Sequence, residues 1–217
     1  MGSWSKVEMM SNKLLDQYGF IFVPKLIINP ENLKCDIPEE RGNIKYYGNR
    51  MDKFSYIPEE DQVKGSLSRY NIPIYRELHY LVKNQIEDIL DIDLYPTYFF
   101  DRFYFSGQKL DRHIDRPACE ISVTLQISSN RSEPWPIWFE LPDGSEDYVS
   151  MNDGDAVIYM GCEREHWRDS LPSRYNKKQK FWRRIRKLSD DTYHHQIFLH
   201  YVNANGPFLH YAYDAMN

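Results

Sequence analysis

Cysteine is scarce: Cys35, Cys119 and Cys162 are the only three in 217 residues. An odd, widely spaced set supports neither a disulfide framework nor a zinc knuckle, and a reducing, cytoplasmic setting is the expectation. No apolar run approaches the roughly 18–20 residues of a membrane span. Met1–Lys6 carries no apolar h-region, so a secretory signal is not expected there. Lys6 also stands where a Met-Gly-x-x-x-Ser/Thr lipidation pattern needs a hydroxyl, and no membrane partner is expected. Positive charge is not in excess either. Lys and Arg number 27 against 32 Asp and Glu, a formal net charge of -5, which argues against a uniformly basic nucleic-acid binder. No period of 20–50 residues repeats, which sets solenoids and propellers aside.

Aromatic residues, by contrast, are plentiful, with 17 Tyr, 11 Phe and 5 Trp; chains too polar to fold lack them. Val7, Met10, Leu14 and Leu15 recur at helical spacing over 4–18, with Gly19 suited to the stop. Phe20–Val23 reads as a strand ended by Pro24. Residues 28–71 mix Pro, Gly, Asn and charges without a clear period. Pro73 opens a second helix over 73–91, in which Tyr75, Leu78, Leu81, Val82, Ile86, Ile89 and Leu90 form one apolar stripe directed at the core. From Tyr95 the pattern becomes short β-rich runs: 97–106, 120–128, 137–141, 148–151, 156–160, 163–169 and 196–202. Turn signals such as Asp143-Gly144 and Asp153-Gly154-Asp155 separate them. Helices followed by closely spaced strands predict an α+β chain whose strands form a jelly roll. A single domain over 1–217 is expected, with 1–94 as a helical support region and 95–217 as the jelly-roll core.

Residues 172–187 hold eight basic residues and no acidic one. They fall between two strand-like runs and read as a basic insertion, 172–192, on a loop. A solvated loop fits, and so does a lid or an electrostatic platform for an anionic partner.

His113-Ile114-Asp115 places an imidazole and a carboxylate two residues apart, on one face of an extended strand. Such a pair alone is weak, since chance supplies about half a match in a chain of this content. Its context adds weight: His166 follows in another strand, just after Asp153–Gly161. Two histidines and one carboxylate on one face of an ion leave three positions open, the non-haem Fe(II) arrangement. A structural zinc site would close four positions, usually with cysteine. A hydrolytic zinc site with three protein ligands stays open, although no His-Glu-x-x-His spacing supplies its base.

The run Gln108–Ile127, containing His113 and Asp115, resembles the metal-binding stretch of 2-oxoglutarate/Fe(II)-dependent oxygenases, with the prolyl-4-hydroxylase-like group the nearest. Asp153–Tyr159 followed by His166 is similar to that family's Gly-Asp-Ala, strand, His segment, and Gln196–Val202 looks like its last barrel strand. The likeness covers about residues 95–203. It implies a double-stranded β-helix holding Fe(II) on His113, Asp115 and His166. It also implies a dioxygenase that decarboxylates 2-oxoglutarate to succinate and CO2 while hydroxylating a substrate, here a prolyl or other amino-acid residue, free or peptidyl. Its cofactors would be Fe(II), 2-oxoglutarate and O2, with ascorbate as a candidate reductant.

The family's pattern of an Arg or Lys on the last strand is missing from Gln196–Val202. Arg168, two residues after His166, shares its inward face if the segment is a strand. A guanidinium takes a carboxylate bidentately, so Arg168 is the candidate anchor for 2-oxoglutarate, ahead of Arg174 and Arg116; a surface ion pair of Arg168 with Asp169 or Glu163 is the competing reading. Tyr104, Thr124 and Gln126 are candidate hydrogen-bond donors to the same ligand. Trp138, Tyr159 and Trp167 are either pocket-lining or core. His194, His195 and His200 cluster near the last strand, His200 as an inward or hydrogen-bonded structural histidine; no carboxylate at fitting spacing suggests a second metal there. The alternatives are a jelly-roll binding or scaffold protein without redox activity, or a cupin-like metalloenzyme. A peptide or small molecule is the expected partner, and a monomer or weak dimer the expected state.

Overall fold

The structure is a computed structural model and describes residues 13–38, 55–57 and 62–214. Two antiparallel sheets face each other. The larger has seven strands in the order β1-β9-β6-β11-β4-β3-β2, the smaller four in the order β5-β10-β7-β8. The larger is built from β1 (Phe20–Val23), β2 (Ser55–Ile57), β3 (Leu67–Tyr70), β4 (Leu94–Phe105), β6 (Ile121–Ser129), β9 (Ala156–Tyr159) and β11 (Tyr193–Asn203). The smaller contains β5 (Leu110–His113), β7 (Ile137–Glu140), β8 (Glu146–Val149) and β10 (His166–Arg168). Helices α1 (Lys13–Tyr18) and α2 (Arg76–Leu90) belong to the N-terminal part, and α3 (Lys177–Ile185) lies between β10 and β11. This alternation of strands between two sheets is the expected jelly roll.

Strand β6 shows how the sequence divides the interior. Ile121, Val123, Leu125 and Ile127 point to one face, where they pack with Leu78, Val82 and Ile86 of α2. Ser122, Thr124 and Gln126 alternate with them and are just as buried. Period-2 geometry therefore puts an apolar face against the helix and a polar face inside the barrel. Burying so many hydroxyl and amide groups is costly unless they have partners; a polar barrel interior is where a polar ligand fits.

Helix α2 begins after a 3-10 turn at Pro73–Tyr75 and ends at Asp91, which takes a left-handed conformation. The apolar stripe holds except at Leu81, which is 53% exposed. Leu78, Val82, Ile86 and Leu90 make the buried seam, and one step of 100° turns Leu81 off it. Gly19 closes α1 with φ +77° and donates its N–H to Leu15 O at 2.8 Å. The 4–12 part of the first expected helix lies outside the described residues. The strand expected over 163–169 is confined to His166–Arg168, because Met160 O takes the N–H groups of both Glu163 and Arg164 into a turn. Strand β3 sits in the stretch whose sequence shows no period.

Candidate functional site

His113 ends β5, and its register partner across the smaller sheet is His166, the first residue of β10. Asp115 is not on the strand: it lies in the connection to the 3-10 turn Pro117–Cys119, where its N–H is held by Gly161 O at 2.8 Å. The expected shared strand face is thus replaced by a strand end and a pinned turn, which still turn both side chains toward His166. Asp115 Oδ1 is 3.4 Å from His113 Nε2 and 3.8 Å from His166 Nε2. One donor atom from each of the three lies within 4.8 Å of the others.

The tautomers suit a metal. His113 Nδ1 donates to Asp111 O at 2.8 Å, and His166 Nδ1 donates to Arg164 O at 2.9 Å. With Nδ1 carrying the proton, each Nε2 lone pair is directed at the common point. The Gln62 amide donates to His113 Nε2 at 2.6 Å, which fits an acceptor there. Burial alone would raise the Asp115 carboxyl, but the His166 and His113 imidazoles overrule it and hold it near 2. Burial draws His166 below its ordinary value, whereas Asp115 lifts His113 above its own against the pull of burial. Donor identity, tautomer and charge all fit a divalent ion of the Fe(II) type.

Ser122 and Gly161, which the sequence did not single out, support this trio together with the candidates His200 and Tyr159. Ser122 donates toward Asp115 Oδ2 at 3.3 Å and contacts His200 Nδ1 at 3.0 Å; Ser122 could have been found from its parity with Thr124 and Gln126. Gly161 lies so close that a Cβ there would sit 2.3 Å from Ser122 Oγ and 2.7 Å from Asp115 Oδ2. Tyr159 packs its ring 4.8 Å from that of His166 and is fully buried.

Arg168 is 1% exposed and faces into the barrel. It donates to Trp135 O at 2.6 Å and to Gln196 Oε1 at 3.0 Å, with Cζ 4.6 Å from the Trp135 ring. No carboxylate of the described residues reaches it, its Nε has no partner, and burial draws it down to about 10. The alternative surface ion pair with Asp169 or Glu163 is not formed. Arg174 instead pairs with Asp191 at 3.5 Å on the outside, and Arg116 pairs with Asp214 at 2.7 Å. Tyr104 takes a hydrogen bond from Arg102 at 3.2 Å, Thr124 contacts the Tyr159 hydroxyl at 3.3 Å, and Gln126 accepts from Gln196 at 3.2 Å. All three line the same interior as Arg168. His194, on β11 beside them, is 2% exposed with neither ring nitrogen partnered among the described residues.

Two aromatic candidates fall elsewhere. Trp138 and Trp167 stack at 6.3 Å on the outer face of the smaller sheet, where Arg112 covers Trp167 at 4.2 Å; residues of alternate parity to Phe139 and His166 must face outward. A second cluster also corrects the sequence view of His195. It faces away from the barrel and meets a carboxylate after all, Asp101, at 2.8 Å, delivered by the β4–β11 pairing. Arg69 ion-pairs with Asp101 and donates to Cys35 Sγ at 2.8 Å. A guanidinium thus already balances this carboxylate, and the cluster fastens residues 34–38 behind the sheet.

No family model matches the chain, and no curated protein does. Solved structures do match in fold. A 2OG-Fe(II) oxygenase family oxidoreductase from Burkholderia pseudomallei aligns at TM-score 0.55 and 11% identity, over 93% of this chain and 92% of its own. HygX from Streptomyces hygroscopicus, solved with nickel and 2-oxoglutarate bound, aligns at TM-score 0.53 and 9% identity, over 92% and 87%. A prolyl hydroxylase from Trichoplax adhaerens, in complex with a hypoxia inducible factor peptide fragment, aligns at 0.50 and 12%, over 90% and 88%. The chain has the jelly-roll fold of the 2-oxoglutarate/Fe(II) oxygenases, prolyl hydroxylases among them.

Proposed function

We propose that this chain is an Fe(II)- and 2-oxoglutarate-dependent dioxygenase that hydroxylates a prolyl or other amino-acid residue, free or peptidyl. The observation that carries the reading is the convergence of His113, Asp115 and His166 with both Nδ1 atoms committed to backbone carbonyls. Those three residues would hold the iron on one face. When bound, Fe(II) supplies oxygen activation coupled to loss of CO2 from 2-oxoglutarate. Arg168 takes the far carboxylate of 2-oxoglutarate, and Tyr104, Thr124 and Gln126 offer hydrogen bonds along the same wall. Ser122 keeps Asp115 turned toward the two imidazoles. Tyr159 and Phe139 cover His166 from the side and keep water off it. The catalytic unit is the whole chain, with the jelly roll as its core.

The complex that HygX forms with nickel and 2-oxoglutarate, and the peptide held by the Trichoplax enzyme, support the cosubstrate and the substrate class by analogy of fold. The test is anaerobic addition of Fe(II) and 2-oxoglutarate with a search for the visible charge-transfer band of the chelate. A band in the wild type that disappears in Asp115→Ala is the expected result. No band in the wild type refutes the assignment. Screening free proline, prolyl peptides and lysate peptides for a gain of one oxygen then identifies the substrate.

A further inference from the structure

The basic insertion contains helix α3, and its side chains are arranged in an unusual way. Asn176 caps the helix by accepting from Gln179 N at 2.9 Å while the Gln179 side chain accepts from Asn176 N, a complete capping box. Arg183 ties the helix to the flanks of the insertion: its Cζ lies 4.1 Å from the Tyr175 ring, and it reaches Ser189 O and Asp191. Phe181 and Ile185 fall on the opposite side of the wheel from Arg183 and Trp182 lies next to them, while Leu188 follows the end of the helix. They are 57%, 55%, 49% and 50% exposed. A helix of a soluble domain normally turns such residues inward; this one turns only Arg183 back toward its flanking chain and leaves its apolar ridge outward.

Cations surround that ridge. Lys177, Lys178, Lys180, Arg184, Arg186 and Lys187 have no carboxylate within ion-pair distance among the described residues. A groove of about 520 Å³ on the Arg183 side of the helix is lined by Lys180, Arg183, Arg184 and Lys187 together with Leu188 and the carboxylate of Asp190. The rest of the chain carries 19 basic and 32 acidic residues, so an anionic surface attracts this helix and repels the body behind it.

We propose that α3 is a docking surface for an anionic lipid bilayer, with Phe181, Trp182, Ile185 and Leu188 entering the interface and the flanking Lys and Arg on the headgroups. Single-stranded nucleic acid would use the aromatic pair and the charges. It gives no burial to Ile185 and Leu188, which a hydrocarbon surface takes up together with the rings. A lid over the metal ligands is the other use of such a segment, and its path does not favour it. The segment leaves β10 at the Arg168 end, where Leu171 exchanges hydrogen bonds with the 107–108 turn at 2.7 and 2.8 Å. His166 and His113 lie at the other end of that ladder. The absence of a spanning segment has no bearing on attachment of this kind.

The full chain is sedimented with sucrose-loaded vesicles of phosphatidylcholine alone or with about 30 mol % phosphatidylserine. We expect at least tenfold stronger partition onto the anionic vesicles, falling with salt. The Phe181→Ser/Trp182→Ser/Ile185→Ser variant should lose at least tenfold, with an unchanged thermal melt. Lys180→Glu/Arg184→Glu/Lys187→Glu should abolish the preference for anionic lipid. Equal partition of the wild type onto both vesicles overturns the proposal, as does wild-type binding by the apolar variant. Binding to a single-stranded RNA 30-mer without binding to vesicles overturns it in favour of nucleic acid. Self-association lost in the apolar variant, again without vesicle binding, overturns it in favour of a second copy of the chain.

Discussion

Replacing Arg168 with methionine separates the cost of this residue to the fold from its use to the ligand. Burial draws the guanidinium down from its ordinary value to about 10. At about 1.4 kcal/mol per unit, keeping it charged costs the folded state about 3 kcal/mol. The sign follows from linkage. A base with a depressed folded value carries its full penalty at every pH below that value, so the penalty is complete at neutrality and is relieved only as the pH rises from about 10 to the ordinary guanidinium range. Methionine removes this cost but leaves Trp135 O and Gln196 Oε1 without their donor, at about 1–3 kcal/mol each. The two effects oppose each other, so the melting temperature without ligand should move only a few degrees. The ligand has no such compensation. Deleting one partner of a buried ion pair costs about 3–5 kcal/mol, so the dissociation constant for 2-oxoglutarate should rise at least about 100-fold. Anaerobic calorimetric titration of Fe(II)-loaded protein measures the second quantity, and scanning calorimetry without 2-oxoglutarate the first. Arg174→Met is the control and should change neither. An Arg168→Met protein that binds 2-oxoglutarate within threefold of wild type would refute the reasoning.

Gly161→Ala drives a Cβ to 2.3 Å from Ser122 Oγ and 2.7 Å from Asp115 Oδ2; iron content per chain should fall severalfold and stability by about 1–3 kcal/mol, checked by metal analysis and a urea melt. His79 is held neutral by burial, down to about 3, with its ring nitrogen against His200 O at 3.0 Å. Its depressed value means that the unfolded chain takes up a proton near pH 6.5 which the folded chain refuses until far lower. Stability should therefore drop by about 2 kcal/mol from this group between pH 7 and 5, and His79→Phe should flatten the denaturation midpoint against pH by that amount. Leu81→Gln should change stability by under about 0.5 kcal/mol, whereas Ile86→Ala, five residues on and on the buried seam, should cost about 2–5 kcal/mol.

The barrel was legible because its strands are short runs rich in β-branched and aromatic residues with turn residues between them, too short for helices. The metal ligands were legible from residue type and order, yet the reason for their convergence was not. Asp115 reaches the site through a hydrogen bond to Gly161, forty-six residues on in sequence, and no local pattern reports such a bond. Helix α3 escaped notice because helical reading looks for an apolar stripe that will be buried, and its stripe is interrupted by Lys178 and points at solvent. Leu81 erred in the other direction: an apolar residue at nearly the right spacing still falls off a narrow seam. The carboxylate beside His195 was invisible because strand pairing brings Asp101 to it across 94 residues.

Strand β1 has a bearing on how the chain is made. Phe20 pairs with Tyr159 and Val23 with Ala156, so the first strand of the larger sheet has to wait for one translated near the end of the barrel. At about 5–20 residues per second, synthesis of the intervening chain occupies roughly 7–28 s. During that interval Phe20-Ile21-Phe22-Val23 has no neighbour to bond, and it combines high β-propensity with no charge, a segment prone to pair with other chains. The vulnerability of this protein thus lies in its birth, and slowing translation before Tyr159 should increase aggregation of the nascent chain without altering the finished fold.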